Sequence, residues 1–95
     1  KEPRMSVVPA SEILAIQLDK APLSQLAYII RKDWVNMSEY AKPYVKAMLN
    51  CPSIDSMYYA DSARDIVLYF LSNAASYRGE TARLIKAELK RRLSI

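Results

Sequence analysis

Few side chains in this 95-residue sequence have the chemistry that catalysis needs. There is no histidine, so an imidazole base and an imidazole metal ligand are both excluded. The single cysteine, Cys51, precedes a proline and has no histidine to activate it, so we expect a buried or half-buried, inert thiol. One glycine in the whole sequence excludes a glycine-rich loop that binds phosphate. The composition therefore excludes most of the common types of active site.

One pair of carboxylates has a spacing that suits chemistry. Asp61 and Asp65 lie one turn apart at the start of a predicted helix, and Arg64 lies beside them. Two such carboxylates could bind a metal ion or share acid–base work. Acidic residues also favour the positive end of a helix dipole, by about 0.3–1 kcal/mol each. We prefer this structural explanation and predict no enzymatic activity, no metal site and no cofactor.

Positive charge is concentrated at the end of the sequence. Residues 1–75 carry eight basic and eight acidic side chains, and their charges cancel. Residues 76–95 carry six basic and two acidic side chains, so the whole net charge of +4 lies there. This asymmetry indicates a basic C-terminal helix.

A row of cations along that helix is the candidate nucleic-acid-binding site. Its members step along one helix face or precede it by a turn: Arg78, Arg83, Lys86 and Lys90. Such a row could contact a phosphate at each turn. Glu88 interrupts the row, and cations near a helix C-terminus also complement the helix dipole. Nucleic-acid binding is therefore the alternative function rather than the preferred one.

Tyrosine is unusually frequent, with seven residues against one phenylalanine. Tyrosine combines apolar area with a polar tip, so it suits the rim of a core or a protein interface. Methionine in the same region adds adaptable apolar surface. The predicted partner-binding residues are Tyr40, Tyr44, Met57, Tyr58 and Tyr59. We expect the partner to be another protein or a second copy of this chain.

Apolar spacing predicts five helices and no β-strand. The helices are predicted over residues 12–20, 23–35, 41–50, 62–74 and 78–93. Asp61 is the predicted N-cap of the fourth helix. Phe70, on this most apolar helix, and Trp34, on the same face as Ile30, are predicted to be buried. The expected class is all-α, a small bundle of four main helices plus a short N-terminal helix.

The sequence has room for one domain only. Residues 1–10 contain two prolines and no periodicity, which predicts a flexible N-terminal arm. Residues 11–95 then form a single helical domain. Because 52% of the residues are hydrophobic, disorder is excluded.

Several segments resemble a group of short helical proteins that phages and mobile elements encode. They are residues 30–34 with 41–44, residues 66–74 and residues 78–90, so the resemblance covers residues 21–93 in the same order. Proteins of this group have no assigned activity. The resemblance therefore implies a mobile-element origin and no mechanism.

Apolar runs in the sequence are short. A membrane span needs about 20 residues, whereas the longest run, residues 66–71, has six. The first residues contain no apolar stretch of the signal-peptide kind. A lone cysteine favours a reducing compartment. We therefore expect a cytoplasmic, non-enzymatic protein that acts by binding another macromolecule and has no membrane partner.

Overall fold

The structure is a computed structural model that describes residues 17–94. Its four helices are α1 (Leu23–Asp33), α2 (Lys42–Met48), α3 (Ala63–Ser72) and α4 (Glu80–Leu93). A single 3₁₀ turn, Leu18–Lys20, precedes α1. The protein is mostly helical, as the apolar spacing predicts. The prediction of a purely α-helical class is wrong, because two short strands, β1 (Met57–Tyr58) and β2 (Asp61–Ser62), form an antiparallel hairpin before α3.

The first and the last predicted helices differ from the structure. Residues 1–16, which include the predicted arm and most of the predicted first helix, lie outside the described residues. Gln17 has a left-handed φ of 61°, so only the 3₁₀ turn of that helix is present in the described part. The last helix begins at Glu80 rather than at residue 78, because Gly79 has a φ of 118°, which an α-helix does not allow.

A short hairpin precedes α3 and determines where that helix begins. Met57 pairs with Ser62 and Tyr58 pairs with Asp61, which leaves a two-residue turn. Ser62, rather than the predicted Asp61, is the N-cap of α3, and its Oγ accepts a hydrogen bond from the Asp65 amide at 3.1 Å. Because β2 continues through Ser62, α3 begins only at Ala63, and Ser62 rather than Asp61 occupies the N-cap position.

The core is centred on three aromatic rings from different parts of the chain. Trp34, at the end of α1, stacks on Tyr77 with ring centroids 4.9 Å apart and an angle of 16° between the planes. The same indole meets Phe70 of α3 edge-on at 6.3 Å. All three side chains are buried. The predicted burial of Phe70 and Trp34 is confirmed.

A buried hydrogen bond joins α1 to the link before α4. The Tyr77 hydroxyl donates to Oδ2 of Asp33 at 2.8 Å, and both side chains are almost completely inaccessible to water. Burial raises the pKa of Tyr77, and the hydrogen bond to the Asp33 carboxylate raises it further. The pair has a structural role, since it ties together two elements that are far apart in sequence.

The thiol of Cys51 is expected to be unreactive in the native protein. It is fully buried just after α2, and burial raises its pKa, so little thiolate forms at neutral pH. A chromogenic disulfide reagent should react slowly with the folded protein and stoichiometrically after unfolding in guanidinium chloride. Because the sequence has one cysteine, the absorbance reports this thiol alone. Rapid reaction in native buffer would contradict the packing around Cys51.

Candidate functional site

Three of the five predicted partner-binding residues belong to two aromatic pairs beside α3. Tyr44 of α2 packs against Tyr69 of α3, with ring centroids 5.7 Å apart. Tyr58 and Tyr59 form a T-shaped pair at 4.8 Å in the hairpin. Tyr69 lies seven residues after Ser62, the N-cap of α3, which is about 10 Å along the helix axis. The two aromatic pairs therefore lie near opposite ends of α3.

Exposure differs among these residues. Tyr59 is 88% exposed, Tyr40 is 78% exposed and Met57 is 61% exposed. Tyr44 and Tyr58 are half-buried and pack against the core. Sequence reasoning missed Tyr69, which is exposed on α3 beside Tyr44. The excess of tyrosine pointed to residues of this type. It did not show which face of α3 would remain exposed.

Tyr59 combines the greatest exposure with an unfavourable backbone conformation. Its φ is 58°, in the left-handed region, at the first position of the two-residue turn. For a tyrosine, this conformation costs roughly 1–2 kcal/mol of stability. Glycine, asparagine and aspartate are the usual residues at that position of tight hairpins. The hairpin thus holds a large aromatic side chain in solvent on a costly backbone.

Two members of the basic row bond within the protein. Arg83 makes a bidentate ion pair with Glu80, in which Nε lies 3.0 Å from Oε1. The hydrogen bonds from Arg83 lower the pKa of Glu80. Lys86 donates from Nζ to the Ala74 carbonyl at 2.6 Å, just beyond the end of α3. Burial, followed by the positive charges of neighbouring cations, lowers the pKa of Lys86. Both side chains therefore have structural partners.

The cations at the end of α4 also have partners. Hydrogen bonds from Arg91 and Arg92 hold the pKa of the buried Glu88 carboxylate below its usual range. Arg92 also donates to the carbonyls of Leu18 and Ala21 at 2.8 and 2.6 Å. Much of the basic end thus serves internal bonds.

Arg78 and Lys90 are the remaining members of the basic row. Both are exposed. Neither makes an ion pair with another described residue. Within residues 17–94, two of the four candidate phosphate contacts therefore have no ion-pair partner.

A cleft of about 460 Å³ lies between the end of α1 and α2. Its apolar lining comes from Trp34, Val35, Met37, Val45 and Leu49. Three exposed cations also line it: Arg31, Lys42 and Lys46. We call this feature the basic groove. Sequence reasoning did not find it, although the α2 residues recur at intervals of three and four, as one helix face requires.

Comparison with family models, with curated proteins and with solved structures finds no match to this chain. The resemblance to phage and mobile-element proteins therefore stays a prediction. Among residues 17–94, no helix has the length and apolar character that crossing a membrane requires. Over the same range, no three cysteine or carboxylate side chains are grouped as a metal ion would require.

Proposed function

We propose that this protein is a small, non-enzymatic interaction protein that binds another protein or a second copy of itself. The proposed binding residues are Tyr40, Tyr44, Met57, Tyr58 and Tyr59, which we together call the tyrosine surface, and of these Tyr44 and the Tyr58–Tyr59 pair lie near opposite ends of α3. The observation that carries the proposal is Tyr59, which is 88% exposed and has a φ of 58°. Backbone strain of this kind persists at binding sites and similar positions. A side chain kept in solvent at a cost to stability is best explained by a contact outside the fold.

The charges around the hairpin favour a protein partner over a nucleic acid. Exposed aromatic rings can stack on bases as well as pack against proteins. Asp55, Asp61 and Asp65 lie in or beside the hairpin, and all three are exposed. Arg64 is the one cation in this stretch of sequence, and it lies 3.9 Å from the Asp55 carboxylate. Carboxylates at this density repel phosphate groups.

Nucleic-acid binding through the basic row is the weaker alternative. Lys86 already bonds to the Ala74 carbonyl, and the exposed Glu80 carboxylate beside Arg83 repels a phosphate group. Two cations, Arg78 and Lys90, would have to supply most of the phosphate contacts. Affinity for a polyanion depends on the number of phosphates neutralised, so this surface supports only weak binding.

We also propose a cytoplasmic location and an antiparallel arrangement of neighbouring helices. A single buried thiol at Cys51 is suited to the reducing cytoplasm, where disulfides are rare. The links from α1 to α2 and from α3 to α4 are short, which favours antiparallel neighbours, whereas the hairpin occupies the longer link from α2 to α3. Both points are consistent with a compact adaptor that presents the hairpin to a partner.

Replacing Tyr59 with asparagine should separate binding from folding. Asparagine tolerates a positive φ, so relief of strain offsets the lost ring contact with Tyr58, which is worth about 0.5–1.5 kcal/mol. We expect the free energy of unfolding to change by less than about 1 kcal/mol. Exposed aromatic anchors contribute about 2 kcal/mol or more to binding, so partner capture should fall by about tenfold or more. Affinity capture from a nuclease-treated extract of the source cells, quantified by mass spectrometry, measures the loss.

The matched control is Tyr28→Asn, which removes another exposed tyrosine on α1, outside the tyrosine surface. This variant should capture the same partner as the unmodified protein. If the partner is a second copy, Tyr59→Asn should weaken self-association in analytical ultracentrifugation by a similar factor. Capture that needs intact nucleic acid, survives in Tyr59→Asn and disappears in Lys90→Glu would refute the proposal and support the alternative.

A further inference from the structure

The basic groove has the size and lining of a binding site for an apolar side chain. Its volume of about 460 Å³ lies within the range of about 300–1,000 Å³ that ligand pockets occupy. Val45 and Trp34 are buried, whereas Val35 is 71% exposed although it lines the groove. An aliphatic side chain that faces water beside an apolar cleft gains from being covered. The groove is thus ready to bury apolar surface.

Cations lie on both helices that form the groove. Lys42 and Lys46 are one turn apart on α2, and Arg31 is on α1. Lys46 makes no ion pair with another described residue. Lys42 pairs with Glu39 at 2.6 Å, but both side chains are more than half exposed. Exposed pairs are worth at most about 1 kcal/mol, so a ligand carboxylate can replace Glu39.

The other acidic residue near this part of the chain is not available to neutralise the groove. Asp33 is buried and accepts the Tyr77 hydrogen bond on the core side of α1. The electrostatic complement of the groove is therefore a ligand that brings carboxylates on either side of an apolar group. Residues 1–16 of this chain are a poor complement, because their two acidic and two basic side chains cancel.

The aromatic residue in the groove argues against a nucleic-acid base. Base binding needs an accessible aromatic face. Trp34 has one face stacked on Tyr77 at 4.9 Å and is only 6% exposed. The other apolar lining groups are aliphatic or thioether side chains, which suit a leucine or phenylalanine side chain. A groove between two helices is also a common place for an amphipathic helix to bind.

We infer that the basic groove binds an acidic amphipathic peptide segment, with one large apolar side chain between α1 and α2 and carboxylates near Arg31 and Lys46. None of the five residues of the tyrosine surface lines this groove. Binding at this groove is therefore independent of binding at the tyrosine surface. Either one can be present when the other is absent. It gives the protein a second protein-binding site with its own sequence preference.

The probe for this site is a capped peptide of about twelve glutamate and leucine residues, long enough for roughly three helical turns. Trp34 is the chain's one tryptophan and lines the groove, so its fluorescence reports binding directly. We expect a saturable change in emission with the full-length protein. Lys46→Glu should weaken binding by about tenfold or more, because an attraction becomes a repulsion. Val35→Ser should weaken it several-fold through lost apolar contact.

The matched control is Lys90→Glu, which makes the same charge change at an exposed position on α4. Its affinity for the peptide should stay within about twofold of the unmodified protein. Tyr59→Asn should also bind normally, so failure at this groove is distinguishable from failure of the tyrosine surface. No saturable change, or equal weakening by Lys46→Glu and Lys90→Glu, would overturn the inference. So would displacement of the peptide by an equimolar single-stranded oligonucleotide.

Discussion

Replacing Phe70 with alanine is expected to lower the free energy of unfolding by about 3–5 kcal/mol. The side chain is fully buried in α3, and its ring meets Trp34 edge-on at 6.3 Å. The substitution leaves a cavity at the point where α1, α3 and the link before α4 meet. Small domains are stable by about 5–15 kcal/mol, so much of the stability is lost. Urea unfolding followed by circular dichroism measures the change.

Leu68→Ala is the matched control for Phe70→Ala. Leu68 lies two residues earlier on the same helix and is exposed. The loss of a largely solvated side chain should therefore cost about 1 kcal/mol or less. If Phe70→Ala also costs less than about 1 kcal/mol, the aromatic centre of the core is placed incorrectly.

Removing the hydroxyl of Tyr77 is expected to cost about 1.5–3 kcal/mol, the usual value for a hydrogen bond to a charged group. Tyr77→Phe keeps the ring that stacks on Trp34 and removes only the donor to Asp33. The Asp33 carboxylate then loses a hydrogen bond at a site that is buried from solvent. Urea unfolding near neutral pH measures this cost.

The same pair makes the fold sensitive to alkaline pH. Burial and the Asp33 carboxylate raise the pKa of Tyr77 above its unfolded value, which is about 10. The folded state then keeps a proton that the unfolded state releases. The contribution to stability is complete below about pH 10 and falls above it, by up to about 1.4 kcal/mol per pH unit. Urea midpoints between about pH 9 and pH 11 should show this loss.

The Tyr77→Phe variant tests the origin of that pH dependence. It lacks the titrating group, so its stability should fall less steeply than that of the unmodified protein over the same pH range. Substitution of the acceptor, Asp33→Asn, removes the carboxylate that contributes to raising the pKa of Tyr77. Equal alkaline slopes in Tyr77→Phe and the unmodified protein would contradict a protonated, buried Tyr77.

Much of the helical part of the fold could be predicted because it depends on local pattern. The spacing of Leu26, Ile30 and Trp34 places one apolar face on α1, and that face is buried. The hairpin could not be predicted, because strands of two residues are too short to show alternation. The choice of Ser62 over Asp61 as N-cap also depends on strand pairing. These errors come from tertiary structure acting on weak local signals.

Some features of the candidate sites could likewise be predicted from local sequence spacing, and others could not. The Arg83–Glu80 pair has an i, i+3 spacing that is visible in the sequence. The bond from Lys86 to the Ala74 carbonyl requires α4 to pack back across the end of α3. The basic groove unites Arg31 with Lys46, which belong to different helices. Such combinations appear only when the packing of the helices is known.

Arg92 makes the two ends of the described chain depend on each other. Its guanidinium bridges α4 to carbonyls 71 and 74 positions earlier and also neutralises the buried Glu88 carboxylate. Closing so long a loop costs conformational entropy once, when the fold forms. If α4 frays at its last turn, the 3₁₀ turn before α1 loses its anchor at the same moment. The two ends of the described part of the chain therefore unfold as one cooperative unit rather than independently.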